Sequence, residues 1–261
     1  MRIGSAAAAA FTPAELSPAV WLEMDSSGTL RGDPSGNTYT GDLSDEAAVA
    51  AAMDGGDAEF LTEWEDLSGN GRDFAQATAA NQPAWVTDAE TTFDTPAIDF
   101  VSSDILSNGT GLANIATSGI GITVVFIADD VTTQSHIFNT QATTTHRAHF
   151  AIQSGALCGA VTTTTNGAAS GTVSIATKYV AHYNYNGTAG SMRINGVAQV
   201  GTANVNNAPA DTGMRIGARR PSLDQPFNGR IVAVIARASP WTTGEMDSLD
   251  TYLAAKYGVT L

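Results

Sequence analysis

Short runs of apolar positions, some alternating with polar ones at a period of two and some continuous, recur along the chain and are broken by Gly, Asn, Asp and Pro. That pattern predicts many short strands joined by turns. The runs are 19–24, 60–64, 84–86, 97–101, 120–128, 135–139, 149–153, 157–162, 171–174, 179–185, 191–194, 214–218 and 229–237. Within Val180 to Tyr185 the alternation puts Ala181, Tyr183 and Tyr185 on one face and His182 and Asn184 on the other. Ile231 to Ala236 is apolar on both faces, so this strand is expected to be buried from two sides, by the facing sheet and by a helix. Asn195-Gly196, set between Arg193-Ile194 and Val197-Ala198, predicts a type I′ hairpin turn.

Two stretches break the pattern. Residues 26–42 are rich in Gly, Asp and Asn and read as turn chemistry. Ser44-Asp45-Glu46 and the Ala-rich residues up to Met53 predict a short capped helix that ends at Gly55-Gly56; residues 31–59 are therefore expected to be an insertion. Near the C-terminus the period becomes helical. Thr242 and Glu245 fit a capping box, Met246, Leu249, Leu253 and Tyr257 form one stripe, and Gly258 fits the position past the end. The expected fold is all-β: an antiparallel jelly-roll β-sandwich over 19–261, with an N-terminal arm at 1–18, a short helical insertion and one C-terminal amphipathic α-helix over 242–258. No repeat of 20–50 residues is visible, which argues against a solenoid or propeller.

Composition narrows the partners. The net charge is −14, from 26 acidic and 12 basic groups, with Lys178 and Lys256 the only lysines. Nucleic acid is not an expected partner, because phosphate binding needs Lys and Arg. No apolar run is long enough for a membrane helix, so no membrane partner is expected. Cys158 is the single cysteine and sits in the apolar run 156–161, where it reads as a small buried hydrophobe. Met1 to Ala10 has one basic residue and an Ala-only apolar stretch, a weak match to a secretory leader. Assembly inside the cell is therefore expected, with the arm docked on this domain or on a neighbour.

Four segments carry a family likeness. Ala19 to Asp25 is similar to a Trp-Leu opening strand that ends in Asp. Trp64 to Asp73 resembles a "W-x-D-x-S-G-N-G" turn. Tyr185-Asn186-Gly187-Thr188 followed by Met192 to Val197 resembles the strand pair "Y-D-G-T … L-Y-V-N-G", and Phe227 to Val234 with Tyr252 to Gly258 resembles a closing strand and helix. In their order and spacing these resemble the concanavalin A-like (laminin-G-like) jelly-roll superfamily of bacterial and tailed-phage proteins. The resemblance implies a lectin-like scaffold; no cofactor is expected, and Ca²⁺ is the one ion the resemblance would add, the alternative being carboxylates that only stabilise a turn. For such an ion Asp66, Asn70 and Asp73 are the candidate oxygen ligands.

Catalytic patterns are sparse. Related glucanases carry Glu-x-Asp-x-x-Glu on one strand, and it does not occur here; the cluster Glu59, Glu63, Glu65 and Asp66 reads as a solvated edge. The four histidines, His136, His146, His149 and His182, do not show the convergence of a zinc site. For a glycan surface the candidates are His182, Asn184, Arg147 and His149 on an outward sheet face, with Trp85 and Trp241 as candidate stacking residues. The expected function is a non-enzymatic virion protein of a tailed bacteriophage, a capsid decoration or tail or fibre component. It would be oligomeric or part of a larger assembly, holding other virion proteins through its arm, with glycan adhesion as a further role. The alternative is a bacterial cell-surface or secreted carbohydrate-binding module.

Overall fold

The computed structural model describes residues 11–24, 27–33, 38–42, 48–49, 51, 59–87, 93, 95–112, 118–141, 147–162, 169–203, 213–219 and 224–261. Strand pairing organises them into two antiparallel layers. The first runs in the order β3 (Thr38–Asp42), β2 (Ser27–Asp33), β4 (Glu59–Trp64), β5 (Phe74–Ala75), β8 (Leu106–Asn108), β17 (Met214–Ile216), β10 (Ser135–Gln141), β11 (Arg147–Gln153), β12 (Ala156–Thr162) and β13 (Ala169–Thr172). The second runs β1 (Val20–Glu23), β18 (Gly229–Arg237), β9 (Ile120–Ala128), β14 (Lys178–Tyr185), β15 (Gly190–Ile194) and β16 (Val197–Ala203). Two bridging strands, β6 (Ala84–Val86) and β7 (Ala97–Phe100), join β4 to β18, so the sheet nearly closes on itself.

The register shows why the sequence folds this way. Leu106, Ile216, Phe138, Phe150 and Gly159 are successive partners across β8, β17, β10, β11 and β12. All are buried and face the core. In the second layer Leu22, Val234, Val124, Ala181 and Ile194 form the matching apolar row. One step along each strand the side chains turn to the outer face. Tyr183 points inward as its alternation predicts, is fully buried, and packs on Gly159 of the opposite layer, where a Cβ would collide with its ring. Burial pushes the Tyr183 phenol upward from its ordinary titration range, with the nearby Tyr185 adding to the effect.

The helix α1 (Thr243–Tyr257) has the expected capping box: Glu245 N donates to Thr242 Oγ1, and Thr242 N donates to Glu245 Oε2. Gly258 closes it with φ of 62°, in the left-handed region that glycine tolerates. Leu249, Leu253 and Tyr257 are buried, whereas Met246 is only half-buried, and Asp250 lies within the buried stripe. Asn195 and Gly196 have φ of 44° and 77°, the two positive values a type I′ turn requires.

Three expectations change. The residues read as turn chemistry contain the hairpin of β2 and β3, and β2 pairs with β4. Of the expected helix at 44–53, residues 48, 49 and 51 are helical, and its Ser44 cap lies outside the described residues. Asp66 is buried rather than part of a solvated edge.

Candidate functional site

The outer face of the first layer carries Ser107, Arg215, Asn139, His149 and Ala160 as successive partners. The rings of His149 and His136 pack at a tilt of 52° with centroids 5.0 Å apart, and both are closed to solvent together with Asn139. His136 shares a hydrogen bond of 3.1 Å with Gln225 Oε1. The Asn139 carboxamide is fully buried, and neither its nitrogen nor its oxygen has a hydrogen-bond partner among the described residues. Arg147 sits at the end of β11 opposite Gln141 and Thr162.

His182 and Asn184 lie on the other layer, under α1. His182 shares bonds with Thr123 Oγ1 at 2.9 Å and with Asp250 Oδ1 at 2.8 Å. Asp250 Oδ2 meets Arg193 Nε at 2.8 Å, and Arg193 Nη1 meets Asp247 at 2.7 Å. Trp85 is on β6, paired with Ile98 and buried. Five of the residues expected to form one glycan surface, His182, Asn184, Arg147, His149 and Trp85, are thus spread over two sheet faces and a bridging strand. His182, His149 and Trp85 are buried rather than exposed. Alternation correctly separates the faces but does not show that a helix covers one of them.

Asp66, Asn70 and Asp73 serve the turn that contains them. Asp66 Oδ1 accepts from Trp21 N and Ser68 N, and Oδ2 accepts from Ser68 Oγ and Arg72 N. Asp73 Oδ1 accepts from Asp66 N, while Asn70 Nδ2 donates to Pro18 O at 3.0 Å. The turn therefore fastens the start of β1. Among the described residues no group of three or more His, Cys, Asp or Glu is arranged to hold a metal ion.

Among the described residues two open clefts flank α1. The larger, about 710 Å³, runs along its outer face between Phe11, Tyr252, Asp247, Thr251 and Lys256. Most of its polar groups are engaged within the chain. Lys256 Nζ meets Glu23 Oε1 at 3.1 Å, Thr251 Oγ1 donates to Asp247 O, and Asp247 holds Arg193. Phe11 packs edge-on against Tyr252, so the arm from residue 11 onward docks on the domain's own helix.

The smaller cleft, about 320 Å³, lies between the β14–β15 turn and the start of α1. Asn184, Asn186, Ser191, Trp241, Thr243 and Met246 line it. Its walls are fixed from behind. Asn184 Nδ2 donates to Trp241 O and Asn184 Oδ1 accepts from Trp241 N, each at 2.8 Å. Asn186 Oδ1 accepts from Thr188 N, Thr188 Oγ1 and Ala189 N, which holds the turn. Arg237 lies 4.1 Å over the Trp241 ring and pairs with Glu245, whose carboxyl this contact lowers to about 2. Ser191, Thr243 and Asn186 remain exposed at the rim. Of the expected glycan residues Asn184 and Trp241 reach this cleft; Met246 is legible in the sequence only as part of the helical stripe and Asn186 only as part of a turn.

No family model and no curated protein sequence matches the chain. Solved structures share its fold. A GH54 α-L-arabinofuranosidase soaked with a cyclic sulfate inhibitor matches with a TM-score of 0.67 and 11% identity, over 94% of this chain and 64% of that one. Trypanosoma rangeli sialidase in complex with 2,3-difluorosialic acid matches with a TM-score of 0.57 and 12% identity, over 100% and 36%. Domain 4 of AbnA, a GH43 extracellular arabinanase from Geobacillus stearothermophilus, in complex with arabinotriose, matches with a TM-score of 0.55 and 14% identity, over 75% and 100%. The chain spans about a third of the length of the sialidase chains it matches. These findings overturn two expectations, that of a bacteriophage virion protein and that of a protein with no enzymatic role. Structures sharing its fold include a sialidase, an arabinofuranosidase and a domain of an arabinanase, and at 11–14% identity the likeness is one of all-β fold.

Proposed function

We propose that this chain is a carbohydrate-engaging β-sandwich domain of a bacterial cell-surface or secreted carbohydrate-active protein, of the concanavalin A-like jelly-roll type, and that glycan enters the cleft floored by Asn184. The observation that carries the reading is that cleft. Amides and hydroxyls from Asn186, Ser191 and Thr243 stand at its rim and Trp241 and Met246 in its walls, the mixture of few polar and several apolar groups that small-molecule sites use. The likeness to an arabinanase domain in complex with arabinotriose supports it.

Calorimetric titration of the full chain with arabinotriose, galactose and cellobiose tests the proposal. Binding of at least one sugar, weakened by Asn186→Ala and lost in Ser191→Trp, is the expected result. Absence of heat with a broad glycan panel would sink it. Hydrolysis of 4-nitrophenyl α-L-arabinofuranoside, measured alongside, shows whether a bound glycan is also cleaved.

A further inference from the structure

We infer that the cleft beside α1 selects uncharged sugars over acidic ones. This rests on the glycan reading and adds a ligand class to it. Among the described residues, none that lines the cleft is charged: besides the six named, Ala189, Gly190 and Pro240 complete it. The cation beside it is Arg237, and its donors are spent. Nη1 meets Glu245 Oε1 at 2.7 Å, Nη2 meets Glu245 Oε2 at 2.6 Å and Pro240 O at 2.7 Å, and Nε donates to Ser239 O at 3.4 Å. Its flat face is laid on Trp241.

A sugar carboxylate entering here would give up water and meet no cation, at a cost that burial of an unpaired charge always carries. The chain's net charge of −14 adds a repulsive field. A neutral sugar meets a better match. Its hydroxyls can both give and accept hydrogen bonds, as the Ser191 and Thr243 hydroxyls and the Asn186 carboxamide do. Its C–H faces suit Met246, Pro240 and the wall of Trp241. The indole N–H of Trp241 is buried against Gly121 with no acceptor among the described residues, and its ring lines the cleft, so its signal reports occupancy of the cleft. The volume of about 320 Å³ lies at the low end for small-molecule sites, which suits a short sugar or the end of a chain.

The test is an NMR titration of the full, ¹⁵N-labelled chain, following the Trp241 indole signal, assigned by its disappearance in Trp241→Phe. The probes are arabinotriose, galactose and N-acetylneuraminic acid. A saturable shift is expected with at least one neutral sugar, and binding of the acidic sugar about tenfold weaker or less. Ser191→Trp should abolish the shift while the indole signals of Trp21, Trp64 and Trp85 stay in place, which shows that the fold is intact. Thr243→Arg should narrow the gap by giving the acidic sugar a cation. Equal or tighter binding of the acidic sugar overturns the ligand class and leaves the glycan reading standing. Neutral-sugar binding that survives Ser191→Trp without moving the Trp241 indole overturns the placement, and no binding of any sugar removes both.

Discussion

His182 Nε2 lies 2.8 Å from Asp250 Oδ1, and both side chains are closed to solvent between the second layer and α1. The same carboxylate meets Arg193, so one helix residue ties two neighbouring strands to the helix. Removing a single partner from a buried pair leaves the others uncompensated. Asp250→Ala is expected to cost about 3 kcal/mol or more, read as a lower urea midpoint, and Asp250→Asn less, because the amide oxygen still accepts. Unchanged midpoints in both would show that apolar packing alone holds the helix.

Gly159 and Tyr183 meet across the core, and any Cβ at 159 runs into the ring. Gly159→Ala should lose about 1–3 kcal/mol. Combined with Tyr183→Leu, which vacates that space, the loss should be less than the sum of the single changes. Strict additivity in chemical denaturation would contradict this packing.

The Asn139 carboxamide is buried and has no partner among the described residues, and such a group costs stability whenever it is taken from water. Asn139→Leu is expected to raise stability by about 1 kcal/mol. A marked fall in melting temperature would mean that the amide has work in the folded state.

Stability should depend on pH in two opposite senses. Burial, with a contribution from Asp99, pushes the Asp104 carboxyl up to about 6, although a hydrogen bond from Val101 N opposes the shift. The folded state holds this proton more tightly than the unfolded state, so Asp104 favours folding at low pH, and that contribution is lost as pH rises from about 4 to 6. Glu245, held to about 2 by its hydrogen bonds with Arg237, works the other way: its contribution is present above about 4.5 and is lost as pH falls toward 2. Asp104→Asn should therefore stabilise the chain at pH 7 and not at pH 3.5, while Glu245→Gln should do harm at pH 7 and little at pH 2. Denaturant midpoints measured across that range check both.

The sequence carried the strands whose side chains alternate cleanly, such as Lys178–Tyr185, and the strand Gly229–Arg237 that is apolar on both faces. It also carried the capping box of α1 and the Asn195-Gly196 turn. It did not carry the hairpin within 27–42. Gly and Asp have poor strand propensity, and those strands form because distant Phe60 and Leu61 offer partners. The site was still less legible. His149 and His182 have the polarity of outward residues, but packing above each sheet face decides whether such a residue meets solvent. The cleft arises where the β14–β15 turn and the start of α1 come together, and no local pattern announces that meeting.

The first strand pairs with the last, Val20 with Ala236 and Glu23 with Ala233. During synthesis β1 must therefore wait unpaired until β18, which lies far along the sequence at Gly229–Arg237, has left the ribosome. Such distant pairing is slow to form, and an unpaired edge is exposed to wrong partners in the meantime. The turn at Asp66 softens that wait, because it takes hold of Trp21 N from only 45 residues away. A nascent chain halted after residue 75 already contains this clasp, and one halted at residue 228 still lacks the partner strand, so the opening segment can be stapled early and zipped into its sheet last.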